Sequence, residues 1–239
     1  MSCGHPHMIA LPRAGNGSQT SRLADELAMA IHLGHLLPGA PLREVEIAEA
    51  NNVSRTIVRA ALQRLEAQGL AEIILNKGAR VRETDPAAAS EMIELHVQLT
   101  VLAARKAAAR ATPAQIAHLR QFVDMLEHVA GDEGLAEEFQ YLRIGFSRAL
   151  FEAAGPVLAE RLGVAAPITP HHSRAMDDVR SSTGQAEAAK LSRDILKAIQ
   201  ANSQDGAARA AERLLRRHAE LTLTPAFKPA ASRKTASHA

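Results

Sequence analysis

The 239-residue chain carries 28 basic against 26 acidic side chains, a formal net charge of +2, so bulk charge neither demands nor excludes nucleic acid and any such affinity must come from local placement of arginine and lysine. Aromatic residues make up only 3%, tryptophan is absent and alanine is frequent, which favours helices packed through small side chains over a β-rich fold. The single cysteine, Cys3, excludes a disulfide framework or a cysteine metal cluster, and no apolar run approaches the ~20 residues of a membrane span, so a cytoplasmic protein with no membrane partner is expected.

Residues 1–18 are rich in Gly, Pro, Ser and His, show no periodicity, and read as a disordered leader in which His5 and His7 form no ordered metal site. A first helix is expected over residues 19–35, with Leu23, Leu27, Ala30 and Ile31 inward and Leu37-Pro38-Gly39 ending it. Residues 44–51 form a short helical run. Asn51-Asn52 then turns the chain, since asparagine tolerates the left-handed backbone such turns need.

Taken at about 100° per residue, residues 53–69 divide into two faces. Val58, Ala61, Leu62 and Leu65 fall within one apolar arc, and Arg55, Thr56, Arg59, Gln63 and Glu66 lie opposite. Ser54 stands where an N-cap belongs. Alone, such a helix is most often an ordinary surface helix; its neighbours change that. Residues 71–75 read as a strand, Asn76-Lys77-Gly78 as a tight turn and residues 79–82 as the returning strand. Helix, turn, helix and hairpin make a winged helix-turn-helix over residues 19–83, and its second turn-linked helix has the two guanidinium forks and the anchored back that a major-groove helix requires.

Thr84-Asp85-Pro86 is a junction where Asp85 can cap and Pro86 suits the first helical position. Helices are expected over residues 87–111, 113–130 and 135–154, with a loop at 131–134 and a break at Gly155-Pro156. Another begins at Val157 and meets Pro167 and Pro170; the last two cover 184–201 and 205–222. The fold class is therefore mainly α, an N-terminal winged helix-turn-helix followed by an antiparallel all-helical bundle over residues 84–222. Residues 223–239, with Lys228, Arg233 and Lys234 and no acid, read as a disordered basic tail able to add non-specific DNA attraction. His171-His172 and Asp177-Asp178 do not share one helix face and read as a polar loop. With no nucleophile elbow and no phosphate-binding glycine loop, an enzyme is not expected.

Ile31, Gly34, Leu36, Pro38, Gly39 and Leu42, followed by SRTIVRAALQRLEAQGL and NKGARV, resemble the DNA-binding domain of the GntR superfamily of bacterial transcription regulators. The helical remainder resembles the FCD-type effector domain of its FadR-like branch, and together the two resemblances cover about residues 20–222. They imply a homodimeric regulator, most often a repressor, on palindromic double-stranded operator DNA. They also imply that Arg55, Thr56 and Arg59 occupy recognition-helix contact positions and Lys77-Gly78 the wing tip. Side-chain chemistry agrees: an arginine bidentate to guanine discriminates by about 1–3 kcal/mol, while Lys77 and the Gly78 backbone suit phosphate or minor-groove contact, and Arg43, just before the second helix, suits a phosphate. Relatives often carry proline where this chain has Ile57, which at the edge of the exposed face can touch a thymine methyl. They often carry leucine at Asn51, whose polar side chain removes a core anchor.

Many FCD-type domains hold a divalent metal through an Asp, a His one turn later and two further His, and the metal helps capture a carboxylate effector. Aligning Phe146-Ser147-Arg148-Ala149-Leu150 with the family's Phe-His-Arg-Ala-Leu puts Arg143 and Ser147 at the first two ligand positions and Ser192 at the third; His218 alone keeps its ligand type. One imidazole and an arginine cannot make a transition-metal site, so no metal and no cofactor is expected. Arg143 and Ser147 are one turn apart on one face. An inward guanidinium needs a partner, and an acidic ligand can be that partner directly, with His96, Ser192 and His218 as polar lining. Alternatively Arg143 pairs with Glu138 or Glu152 or turns outward, and His96 is a satisfied core histidine. The expected function is a regulator whose operator affinity responds to a small organic acid; the alternative is one with a degenerate pocket, governed by abundance or a protein partner.

Overall fold

The structure, a computed structural model, describes residues 18–75, 77–83, 86–162 and 181–223, with the backbone alone for 86, 87, 89, 90, 92, 160–162 and 217–223. The expectations for the leader, Asn76, Asp85, the His171-His172 and Asp177-Asp178 segment and the basic tail lie outside the described residues.

Helix α1 (Gln19–His32) is capped by Ser18, whose Oγ accepts the Ser21 N–H at 3.2 Å, and it buries Leu23, Leu27 and Ile31. It stops three residues short of the expected end because Gly34 turns left-handed (φ 77°), which lets the N–H groups of His35 and Leu36 close onto the Ala30 carbonyl. Helix α2 (Glu44–Asn51) ends on Asn52 at φ 50° and ψ 48°, the left-handed turn expected there. Helix α3 (Arg55–Ala67) starts under Ser54, whose Oγ accepts the Ile57 N–H at 3.3 Å.

Strands β2 (Ala71–Ile74) and β3 (Gly78–Val81) form the expected antiparallel hairpin, Ala71 opposite Val81 and Ile74 opposite Gly78. A loop of this length needs a positive φ at its end, and Gly78 supplies it at 86°. A further strand, β1 (Pro41–Leu42), pairs with β3 and makes the sheet three-stranded, in the order β1-β3-β2. Two residues are too few for alternation to register in sequence. Val58, Ala61, Leu62 and Leu65 of α3 close on Ile31, Leu42, Leu70, Ala71 and Val81 in one small core.

The remainder is helical: α4 (Pro86–Arg110), α5 (Pro113–Val129), a 3-10 turn (Glu133–Leu135), α6 (Ala136–Ala154), α7 (Pro156–Leu162), α8 (Ser182–Gln200) and α9 (Gln204–Leu223). Thr112 and Gln115 form a reciprocal capping box at the start of α5. A second core unites Leu119, Phe122 and Leu126 of α5, Phe139, Phe146 and Leu150 of α6, and Ile195, Leu196 and Ile199 of α8. Ala104, Ala107 and Ala108 of α4 and Ala207, Ala210 and Ala211 of α9 belong to it too, and these small side chains let the two helices lie close. Helix α5 also approaches α6 closely: a Cβ on Gly145 would stand 2.3 Å from Phe122 Cε1.

Among the described residues, polar side chains of α1 and of the turn after it touch α6. His35 Nε2 lies 2.9 Å from Glu137 Oε1, and Arg148 Nη2 donates to Asp25 Oδ1 at 3.3 Å. Tyr141, on the same face of α6, has its phenol pKa pushed up by burial and then by Glu137 and Glu26.

Candidate functional site

Helix α3 presents Arg55, Thr56 and Arg59 to solvent because the other side of the helix is the buried Val58-Ala61-Leu62-Leu65 face. The first turn, fixed by the Ser54 cap, sets where Arg55 and Thr56 emerge. Neither guanidinium is idle. Arg59 Nε donates to both carboxylate oxygens of Glu44, at 2.8 and 3.0 Å, and Arg55 Nη2 reaches Glu44 Oε2 at 3.4 Å. Glu44 opens α2, and the hydrogen bond from Arg59, ahead of its charge and that of Arg55, holds its carboxyl below the usual carboxylate range. The same contact raises Arg59. Sequence reasoning missed Glu44: it lies fifteen residues from Arg59 on another helix, and no spacing rule links them.

Arg43 is exposed just before α2 and donates from Nη1 to Glu46 Oε1 at 2.7 Å. Lys77 is exposed at the wing, its backbone N–H closing the turn onto the Ile74 carbonyl at 3.0 Å. Leu75 beside it is almost fully exposed, an apolar side chain at the hairpin tip that the strand reading had placed in β2. Ile57 is half-buried and packs against the small core, so much of its surface is turned away from the face of α3 that carries the arginines. Asn51 is exposed and turns its Nδ2 back onto the Ile47 carbonyl at 2.9 Å, closing the last turn of α2.

In the bundle, His96 on α4 and Arg143 on α6 come close enough for the guanidinium to act on the imidazole. Burial first, and the Arg143 charge second, push the His96 pKa down to about 4, so the ring is neutral at pH 7. Its Nδ1 is shielded from solvent and has no hydrogen-bond partner, and its ring meets Phe151 edge-on. A satisfied core histidine would not leave that nitrogen bare. Arg143 is half-buried, and its Nε donates to Oε1 of Gln140 at 3.0 Å. Gln140, 2% exposed, is a second residue the sequence did not disclose: a buried amide one turn before Arg143.

Ser147 donates to the Arg143 carbonyl at 3.1 Å, and the fully buried Ser192 on α8 donates to the Ala188 carbonyl at 2.9 Å. Both hydroxyls keep acceptor capacity, but their protons are committed to their own helices. His218 lies on α9, and its side chain is outside those described. At Arg143, Ser147 and Ser192, which the resemblance aligns with three of the four metal-ligand positions of FCD-type domains, this chain sets a guanidinium and two back-bonded hydroxyls. That donor set does not fit a divalent transition metal. Among the described residues no three His, Cys, Asp or Glu side chains converge on one point.

Comparison with known proteins fits this architecture. Residues 19–81 match the family described as "Bacterial regulatory proteins, gntR family", and residues 79–217 match the FCD domain. The chain is similar to the Nta operon transcriptional regulator of Aminobacter aminovorans, 36% identical over 119 residues covering 48% of this chain and 57% of that protein. It is also similar to the "Probable D-xylose utilization operon transcriptional repressor" of Paenarthrobacter nicotinovorans, 39% identical over 88 residues covering 37% of this chain and 39% of that one. The chain therefore spans about half, or less, of the length of these relatives. In fold it is similar to the solved structure of E. coli McbR/YncC, with a TM-score of 0.71 at 20% identity over 87% of this chain and 98% of the other. Among the described residues no helix is long and apolar enough to cross a membrane.

Proposed function

We propose that this chain, which belongs to the gntR family of bacterial regulatory proteins and carries an FCD domain, is a DNA-binding transcription regulator, a repressor that grips a palindromic operator as a homodimer and releases it when a small organic acid enters the bundle without a metal. The observation that carries DNA reading is the exposed Arg55-Thr56-Arg59 edge on a helix whose other face is wholly buried. Lys77, Gly78 and Arg43 flank it and would hold phosphates, fixing register without reading sequence. The repressor assignment draws on the name of the Paenarthrobacter relative. Homodimerisation draws on α4, where Leu95 (59% exposed), Leu99 and Leu102 (40% exposed) form an apolar stripe at i, i+4 and i+7 that suits a second copy.

Effector capture draws on Arg143 standing near enough to a neutral, buried His96 to lower its pKa, and on a His96 Nδ1 that lacks a partner. A carboxylate would accept from Arg143 and from an imidazole N–H, with Gln140, Ser147, Ser192 and His218 as further polar neighbours. Helix α6 then links the two activities. Glu137, Tyr141 and Arg148 lie on its α1-facing side, and Gln140, Arg143 and Ser147 lie about 100° around the axis. An acid that favours one setting of α6 shifts the DNA-binding unit, and only by its differential affinity for the two settings.

Titrating a panel of mono- and dicarboxylates against protein bound to labelled operator tests this. One acid should raise the melting temperature and release DNA, and Arg143→Ala should abolish release while operator affinity stays. If no acid does either, the second reading takes over: a regulator governed by abundance or a protein partner, favoured by the Ser147 and Ser192 protons already spent on backbone carbonyls.

A further inference from the structure

We infer that Glu44 is a positioning residue for DNA reading: its carboxylate holds Arg59 from the side, so that the guanidinium meets a base edge with its two terminal nitrogens. The inference rests on α3 being the recognition helix. Its starting point is which nitrogen is taken. Arg59 uses Nε alone on Glu44, sharing it between both oxygens, and this contact leaves Nη1 and Nη2 out. An arginine reads guanine through two parallel donors onto O6 and N7. With Nε engaged, the pair that remains is the end-on one.

Exposure gives the direction. The Glu44 side chain is 24% exposed, while those of Arg59 and Arg55 are 63% and 60% exposed, so the carboxylate lies beneath and the cations stand outward. The anchor is itself fixed, because Glu44 is the first residue of α2, where the helix dipole favours a negative charge. A lone arginine of this exposure would sample many rotamers; clamped at Nε it loses that freedom before DNA arrives. Arg55 touches the same carboxylate only at 3.4 Å and through Nη2, a looser hold that leaves it adaptable for a phosphate.

The clamp has a second consequence. A carboxylate beside a duplex repels phosphate whatever the sequence, so Glu44 weakens non-specific binding while sharpening the specific contact. A carboxylate can also accept from cytosine N4, but here both oxygens already face arginine, which favours the positioning role.

Selection of DNA fragments and salt-controlled binding, with full-length wild type, Arg59→Ala, Glu44→Ala, Glu44→Gln and the Glu44→Ala/Arg59→Ala double variant, test this. Glu44→Ala should flatten the guanine preference at the position that Arg59→Ala flattens and cut the operator-to-random affinity ratio on the order of tenfold. Random DNA should be bound more tightly, with a salt slope steeper by about one. Glu44→Gln, which keeps an acceptor for Nε, should recover part of the preference, and the double variant should be no less specific than Arg59→Ala. The inference is overturned if Glu44→Ala tightens operator and random DNA by one common factor with base preference intact, or if it flattens a cytosine position and spares the guanine. Should Arg59→Ala itself leave specificity unchanged, the fault lies with the recognition-helix reading instead.

Discussion

Ser54, Arg55 and Arg59 could be placed from sequence because each obeys a local rule: a cap precedes an apolar arc, and the cations repeat at one helical turn on the other side. Glu44 and Gln140 obey no local rule visible in advance. One reaches Arg59 across a turn between two helices, and the other is an amide at a buried position that periodicity alone would give to an apolar residue. His96 was placed on the right helix, but its neutral state follows only from burial beside Arg143. That state makes a prediction. The folded-state pKa of about 4 lies below the unfolded value near 6.5, so the unfolded chain takes up the proton first as pH falls. The contribution of His96 to stability is therefore full above about pH 6.5 and is lost between there and about pH 4. Urea denaturation at pH 7.5 and pH 5 should show wild type losing about 1–3 kcal/mol more than His96→Gln over that interval; equal losses would remove His96 from the account.

Among the elements, the long helices and the hairpin were legible, since caps and breakers mark their ends: Thr112 before α5, Gly155 and Pro156 between α6 and α7. Strand β1 was not, and α1 ended early because Gly34 takes a left-handed turn that composition does not foretell. Packing between elements was the least legible level. Gly145 looks like a weak point in α6, yet it is where α5 lays Phe122 against that helix. Gly145→Ala, despite its better helix propensity, should destabilise the bundle by about 1–3 kcal/mol in urea because the Phe122 ring must move; a gain in stability would show that the contact relaxes freely. On the other side of α5, Arg193 of α8 donates to Glu127 at 2.8 Å and to Asp124 at 2.7 Å, and the contact with Glu127 chiefly holds that carboxyl below its usual range. Because these carboxylates are well exposed, Arg193→Ala should cost only about 1 kcal/mol, measured by the same denaturation.

At the scale of the whole molecule, the chain sets a small α/β core beside a large helical one, and among the described residues His35 to Glu137 and Arg148 to Asp25 form a seam between them. Sequence indicated both units and gave no sign of the seam, whose partners lie more than a hundred residues apart. Since the seam and the Arg143 face share α6, replacing Glu137 and Arg148 together by alanine should leave operator affinity within about threefold of wild type and blunt the response to an acid effector. An undiminished response would place coupling elsewhere. The central claim, that α3 reads a specific operator through its arginines, is tested most directly by selecting genomic fragments with the purified protein and with Arg59→Ala at matched salt. The account predicts one enriched palindromic motif for wild type and its loss for a variant that still folds; no enriched motif, or the same motif from both proteins, would contradict it.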